Sequence, residues 1–368
     1  TTMKKIKYSQ TGVNYERLDP IKKLAQHAAK DTSKHLAKSG MKEIGETRGE
    51  SAFVWEQGNV LMASVIEGLG TKNLVADAMR KITGKTYYDI IGHDTISAII
   101  NDLISVGAQP LVIHAYWAVG NSAWLADLKR MKDLIKGWKS GCDLSGATWG
   151  GGETPAYSGI INPETIDLGG SAVGIIKNKK NLLLDNKLRA GDRILLIKST
   201  GINVNGLSLA RAVVKKLPKG YATKLPNGKM YGEEILKKSH IYVKLMRDLF
   251  KAGVNIHYVS NITGHGFRKL MRARHSYTYV IEKIFLPQEV FGFIQKHANI
   301  SDYEMYQTFN MGMDYAIFLP TKYVKKAMKI ITKNKFKGLD AGFVQKGERQ
   351  VIIQPKNIVF KGDTLNLR

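Results

Sequence analysis

The sequence has almost no cysteine. Cys142 stands alone in 368 residues, which excludes an internal disulfide and a cysteine-built zinc site and fits a reducing cytosol. Long hydrophobic runs are absent as well: a stretch such as Leu111 to Trp117 falls far short of the roughly 20 residues that span a bilayer. The opening TTMKKIKYSQ has lysines but no apolar stretch behind them, unlike a secretory signal. These features predict a soluble, cytoplasmic protein without membrane contact. The histidines show no metal-type spacing, and no G-x-S-x-G elbow supports a serine hydrolase.

Acids are scarce relative to bases, 31 against 56, giving a formal net charge of +25. A nucleic-acid binder concentrates such charge on one face and interleaves aromatics. Here the lysines are scattered, with mild clusters at 177–180 and 322–337. The second cluster reads as an amphipathic helix, with Val324, Ala327, Met328 and Ile331 on one face. A solvated helix face explains it, and nucleic acid is not the expected partner. A general attraction for phosphorylated, anionic ligands is the weaker alternative.

What is present is alternation of short apolar runs with helical periodicity. SAFVWE and NVLMASVI, split by QGN, predict a hairpin. Ile96, Ile99, Ile100, Leu103 and Ile104 recur at helical spacing between Asp89 and Val106. QPLVIHAYWAV (109–119) predicts a buried strand, the stretch from Ser122 to Gly141 a helix, and residues 165–178 another strand. The lysine-rich stretch 177–191 is the candidate linker. After it DRILLIKST, GLSLARAVVKKL, HIYVKLMRDLFKAG, VNIHYVSNITGHGF, PQEVFGFIQKHA, DYAIFLP and 322–335 alternate strand and helix, before AGFVQKG and QVIIQP. The expectation is an α+β chain of two domains, 1–186 and 187–368, each a sheet covered by helices.

IEGLGTKN (66–73) carries the first chemistry. It is neither a Walker A loop nor a dinucleotide fingerprint, since the required glycine spacing is missing. Its glycines still allow backbone N–H groups near phosphate oxygens, and Lys72 adds a point charge. An acid at its entrance, Glu67, makes sense if a divalent cation sits between it and phosphate. Asp94 and Asn101, seven residues apart on the following helix, share a face, with Asp102 one position round. Asp94 read alone is a helix cap; Asp102, mid-helix among apolar residues, is harder to explain so. ATWGGGETPAYSG (147–159) adds three glycines with Glu153 and Thr154, and reads equally well as a flexible loop. STGINVNG places Asn203 and Asn205 in a tight turn, and SNITGHGF places Asn261, Thr263, Gly264, His265 and Gly266 at a strand end.

In this order the segments resemble the aminoimidazole ribonucleotide synthetase (phosphoribosylformylglycinamidine cyclo-ligase) family, nearly end to end. YSQTGVNYERLDPIK is similar to the family's opening, EGLGTKN to its Asp-Gly-Val-Gly-Thr-Lys motif, and INDLISVGAQPL to its Val-Asn-Asp-Leu block. GGGETPAYSG, DLGGSAVGII, STGINVNGLSLAR, HIYVK, NITGHGF and EMYQTFNMGM complete the series. The resemblance implies the synthetase-superfamily architecture, with an N-terminal mixed sheet that pairs into a barrel in a homodimer and a C-terminal α+β sandwich. It implies ATP and Mg²⁺ as cofactors, and phosphorylation of the formyl amide of formylglycinamidine ribonucleotide followed by ring closure. Carried over by position, Gly68, Gly70, Thr71, Lys72, Asn101 and Glu153 would contact ATP. Glu67, Asp94 and Asp102 would hold Mg²⁺. Lys72, Asp102, Asn203 and Asn205 would serve catalysis, while Glu153, Thr154, Thr263, Gly264 and His265 would surround the substrate.

Six departures stand out. Glu67 replaces the family's Asp, Asn203 a common His, His265 a glycine, Ala115 and Asn14 acids, and RGESAFVW a glycine-rich stretch. Drift around a retained activity accounts for them. The alternatives are a superfamily paralogue acting on another acceptor, as kinase or synthetase, and a non-catalytic nucleotide-binding protein.

Overall fold

The computed structural model describes residues 5–6 and 8–367; the remainder of the opening TTMKKIKYSQ lies outside the described residues. The first half runs α1 (Tyr15–Asp31), α2 (Ser33–Lys38), β1 (Lys42–Glu43), β2 (Phe53–Gln57), β3 (Val60–Gly68), α3 (Lys72–Thr83), α4 (Tyr88–Ile104), β4 (Gln109–Val119), α5 (Leu128–Ser145), β5 (Thr148–Glu153) and β6 (Ile166–Ile176). Its sheet has the order β1-β2-β3-β6-β4-β5. The QGN turn closes the β2–β3 hairpin with Gln57 opposite Val60. All pairs are antiparallel except β4–β5.

The pleat of β4 sorts its side chains: Ile113, Ala115 and Trp117 are buried, while His114 and Tyr116 face outward. α4 covers the buried face, with Ile96, Ile99, Ile100 and Leu103 inaccessible to solvent. Its contact with α5 is backbone to backbone. A Cβ on Gly137 would stand 2.0 Å from the Asp89 carbonyl oxygen, and one on Gly92 2.5 Å from that of Leu134. α5 starts at Leu128 rather than Ser122, because Asp127 caps it by accepting from Arg130 N at 3.1 Å; Ser122–Ala126 forms a 3-10 turn.

The second half runs β7 (Arg193–Lys198), α6 (Leu207–Val213), α7 (Tyr231–Ile235), α8 (Val243–Lys251), β8 (Tyr258–Asn261), β9 (Tyr277–Ile281), α9 (Glu289–Ala298), α10 (Asp302–Thr308), β10 (Met313–Leu319), α11 (Val324–Lys333), β11 (Gly338–Lys346), β12 (Gln350–Ile353) and β13 (Ile358–Lys361). The sheet order is β13-β12-β9-β11-β7-β10-β8. β10 is buried along its whole length. The lysine-rich stretch between the sheets is pinned rather than free: Leu183, Leu184 and Leu188 are buried, and Asp185 accepts from Arg274 Nε at 3.0 Å and Nη2 at 2.8 Å. Among the described residues no helix is long and apolar enough to cross a membrane.

α4 joins the halves. The expected helix beginning at His240 starts only at Val243, since the residues before it strap across α4. Ser97 Oγ and Asn101 Nδ2 donate to the His240 carbonyl at 2.7 and 2.8 Å, and Tyr242 N donates to Asn101 Oδ1 at 3.1 Å.

Candidate active site

A cavity of about 520 Å³ opens between the halves. Its floor is the end of β3 and the turn that follows, Glu67 to Thr71, together with Asp102 of α4; its far wall is the 204–208 turn and Thr263–His265. The floor follows from the sheet. β3 stays paired as far as Gly68 opposite Gly169, and Leu69 N still donates to the Leu168 carbonyl at 2.8 Å. Gly70 then turns at φ +75°, a left-handed conformation that favours glycine. This releases the chain into α3, whose N-cap residue Thr71 lines the cavity, and a helix N-terminus favours anions.

Glu67 and Asp102 meet at this floor. Glu67 keeps surface open to the cavity although protein encloses most of the group. That enclosure, and then the neighbouring Asp102 carboxylate with which it shares a hydrogen bond, push Glu67 up to about 8. Asp102 is held in place by Asn261 Nδ2, which donates to its Oδ1 at 2.9 Å. Lys269 and Arg272 face the acids from the far side and oppose the rise. Burial, then Arg272, brings the Lys269 ammonium down to about 7. Two adjacent hard oxygen donors fit a divalent cation that takes its other ligands from phosphate and water. Among the described residues no group of three or more His, Cys, Asp or Glu is placed to hold a metal.

Two buried polar atoms in the cavity wall have no protein partner, Thr71 Oγ1 and Asn205 Oδ1. Buried polar atoms without partners carry a desolvation cost, and a polar ligand between these two would remove it. Thr263, Gly264 and His265 also line the wall. His265 holds φ +70°, stacks on the Tyr15 ring at 3.7 Å between centroids, and places Nε2 3.2 Å from Asp19 Oδ2. Burial, then the Lys269 and Arg268 charges, hold it neutral, down to about 2. The histidine therefore ties the N-terminal segment to the cavity. Asn14 starts that segment's helix by accepting from Glu16 N at 3.0 Å.

Several residues expected at the site do not line this cavity. Lys72 does not reach the cavity: it is inaccessible to solvent, ion-paired to Asp94 Oδ2 at 2.5 Å, and donates to the Lys237 carbonyl at 2.8 Å. Asp94 spends its oxygens on that ion pair and on Ser239, accepting from Ser239 N at 2.8 Å and Ser239 Oγ at 3.1 Å. Asn101 is occupied by the His240–Tyr242 strap. Asn203, at φ +57°, donates to Asp314 Oδ2 at 2.8 Å and lines an adjoining hollow of about 20 Å³ that shares Val204, Asn205 and Thr263 with the cavity. Glu153 and Thr154 are exposed at the edge strand β5. Three strand spacings separate β5 from β3, about 14 Å.

Lys22, Gln26, Lys269 and Arg272 line the cavity and were not singled out by the sequence. The four basic residues from Arg268 to Arg274, shortly after ITGHG, were the available signal for two of them.

Known proteins place this geometry. The AIR synthase related protein N-terminal domain matches residues 49–176, and its C-terminal domain residues 189–353. The phosphoribosylformylglycinamidine cyclo-ligase of Carboxydothermus hydrogenoformans is 34% identical over 303 residues, 80% of this chain and 83% of its own. That of Methanocaldococcus jannaschii is 31% identical over 332 residues, 89% of each chain. The crystal structure of thiamine-monophosphate kinase from Stenotrophomonas maltophilia shares the fold, with TM-score 0.59 and 13% identity over 82% of this chain and 88% of that one. The HypE–HypF complex structure gives TM-score 0.59 and 16% identity over 85% and 93%. The chain belongs to the phosphoribosylformylglycinamidine cyclo-ligase family, the AIR synthetases.

Proposed function

We propose that the chain is an ATP-dependent cyclo-ligase, converting formylglycinamidine ribonucleotide into aminoimidazole ribonucleotide with release of ADP and phosphate. The observation that carries this reading is that the Glu67–Asp102 acid pair and the unpartnered Thr71 and Asn205 atoms line one cavity, in a chain that two cyclo-ligase relatives match over 80% and 89% of its length.

In this reading the terminal phosphoryl group of ATP moves to the formyl amide oxygen, and its bond to ADP breaks. An amidine nitrogen then attacks the activated carbon and loses its proton. As the ring closes, the carbon–oxygen bond breaks and phosphate leaves. Glu67 and Asp102 would hold Mg²⁺, which screens phosphate charge when bound. Gly68, Gly70 and Thr71 offer backbone and hydroxyl donors to phosphate, and Lys22, Lys269 and Arg272 supply the positive charge first assigned to Lys72. Asn205 and Thr263 orient the amide, while Tyr8 and Tyr15 narrow the mouth against water.

The test is release of ADP and phosphate by the purified protein. It should require formylglycinamidine ribonucleotide, yield the aminoimidazole product, and be lost in Asp102→Asn. No substrate-stimulated release at saturating ATP would sink it. One observation favours a second reading, another acceptor on the same phosphoryl chemistry: Asn203 offers no proton-carrying group and turns to Asp314. A screen of acceptors for ATP turnover separates the two.

The homodimer belongs to the same proposal. The sheet face opposite α4 carries Ile66, 79% exposed, beside the half-open Phe53, Trp55, Met62 and Tyr116. A second copy pairing on this face would bury it. Sedimentation should give a dimer, and Ile66→Lys should give monomers.

A further inference from the structure

A second cavity, about 490 Å³, lies at the C-terminal end of α4, where Ile104 and the end of α5 meet β6 and α8. It shares no lining residue with the candidate active site. Its walls are apolar. Val243, Met246 and Phe250 project from one face of α8, across from Ile104, Ile176 and Leu144. Leu144 is 57% exposed on a chain whose other large side chains here are mostly covered.

The rim is basic: Lys177, Lys244, Arg247 and Lys251 stand against one lining acid, Asp143. Lys244 is neutralised by Asp248 at 2.7 Å, and Asp143 is taken by Lys139 at 2.7 Å. Lys177 and Lys251 have no ion pair among the described residues. A purely ionic ligand would leave the walls wet, and a neutral apolar one would leave these charges unmet. The volume is that of a small-molecule site. We infer that this cavity binds a small amphipathic anion, a medium-chain carboxylate or aryl sulfonate, with its body among the α8 side chains and its head at Lys177 and Lys251.

Occupancy also bears on the chemistry side. α8 follows directly from the segment 239–242, which holds Asp94 and Asn101 of α4. A ligand wedged between α8 and the ends of α4 and α5 presses on that strap. The site itself stands independently of the reaction assigned to the chain.

The test is titration of the full chain with 8-anilinonaphthalene-1-sulfonate, followed by displacement with decanoate. One saturable site is expected, emptied by decanoate and not emptied by saturating ATP. Leu144→Trp, which narrows the cavity, and Lys177→Glu with Lys251→Glu, which reverses its rim, should each weaken the dye about tenfold without moving the melting temperature. Both variants change exposed positions. Decanoate should also slow amide exchange at 239–242. Displacement by ATP, unchanged binding in the variants, or equal displacement by decanol would overturn the site, and unchanged exchange would overturn its link to α4.

Discussion

Replacing Lys72 by Met separates two roles for one ammonium. Lys72 and Asp94 are both inaccessible to solvent and lie 2.5 Å apart. Met keeps most of the length of the side chain and removes its charge. Asp94 would then retain only the Ser239 donors, leaving a carboxylate in the interior without a counter-charge. Breaking such a pair from one side costs about 3–5 kcal/mol, a large share of the roughly 5–15 kcal/mol that stabilises a folded protein. At about 2–4 °C per kcal/mol for a domain of this size, the melting temperature should fall by roughly 6–20 °C. Removing both charges, as Lys72→Met with Asp94→Leu, should recover most of that loss, because a buried pair contributes little over apolar replacements. Thermal melting followed by circular dichroism reads stability, and calorimetric titration with ATP reads affinity. ATP affinity of the single variant should stay within about threefold once corrected for the folded fraction. A Lys72→Met protein that melts with the wild type yet binds ATP at least about tenfold more weakly would refute the reasoning and return Lys72 to the phosphates.

Glu67 holds its proton to about 8 in the folded chain against an ordinary 4.5. Its contribution to stability is therefore full at acid pH and falls as pH rises between those values. A divalent cation competes for the same oxygens, so Mg²⁺ should raise the melting temperature more above about pH 8 than below about pH 6.5, and Glu67→Gln should abolish the difference. His265→Gly relieves the left-handed backbone but removes the stack on Tyr15, worth about 0.5–1.5 kcal/mol. Global melting should barely move, while amide exchange across 8–31 accelerates and KM for ATP rises. Gly137→Ala sets a methyl against the Asp89 carbonyl. It should cost about 1–3 kcal/mol in thermal unfolding, more than the same change at Gly292, which has open space and no left-handed backbone.

Local periodicity made much of the fold legible. The 57–60 turn, the isoleucines of α4 and the run 109–119 lie within stretches whose pattern and structure agree. α1 was missed because its apolar side chains, Leu18, Ile21 and Leu24, remain exposed, leaving a weak stripe. The floor of the cavity was legible because Glu67, Gly68, Gly70 and Thr71 are contiguous and Asp102 interrupts an apolar helix. The partners of Lys72 were not: its ammonium meets a carboxylate 22 residues on and a carbonyl 165 residues on. The domains had to close before the difference between a phosphate ligand and an interior ion pair could be seen. Lys22 and Lys269 were hidden for the same reason, in a chain with lysine throughout. Glu153 shows the converse. Its glycine-rich setting signalled a ligand, but strand order carries it to a sheet edge away from the cavity.

The most direct test of phosphoryl activation in this cavity is isotopic. Formylglycinamidine ribonucleotide carrying ¹⁸O in its formyl group is turned over with unlabelled ATP, and the released phosphate is examined by mass spectrometry. Phosphorylation of the amide oxygen sends the label into inorganic phosphate, one atom per ring closed. Label appearing in water, with phosphate unlabelled, would contradict it.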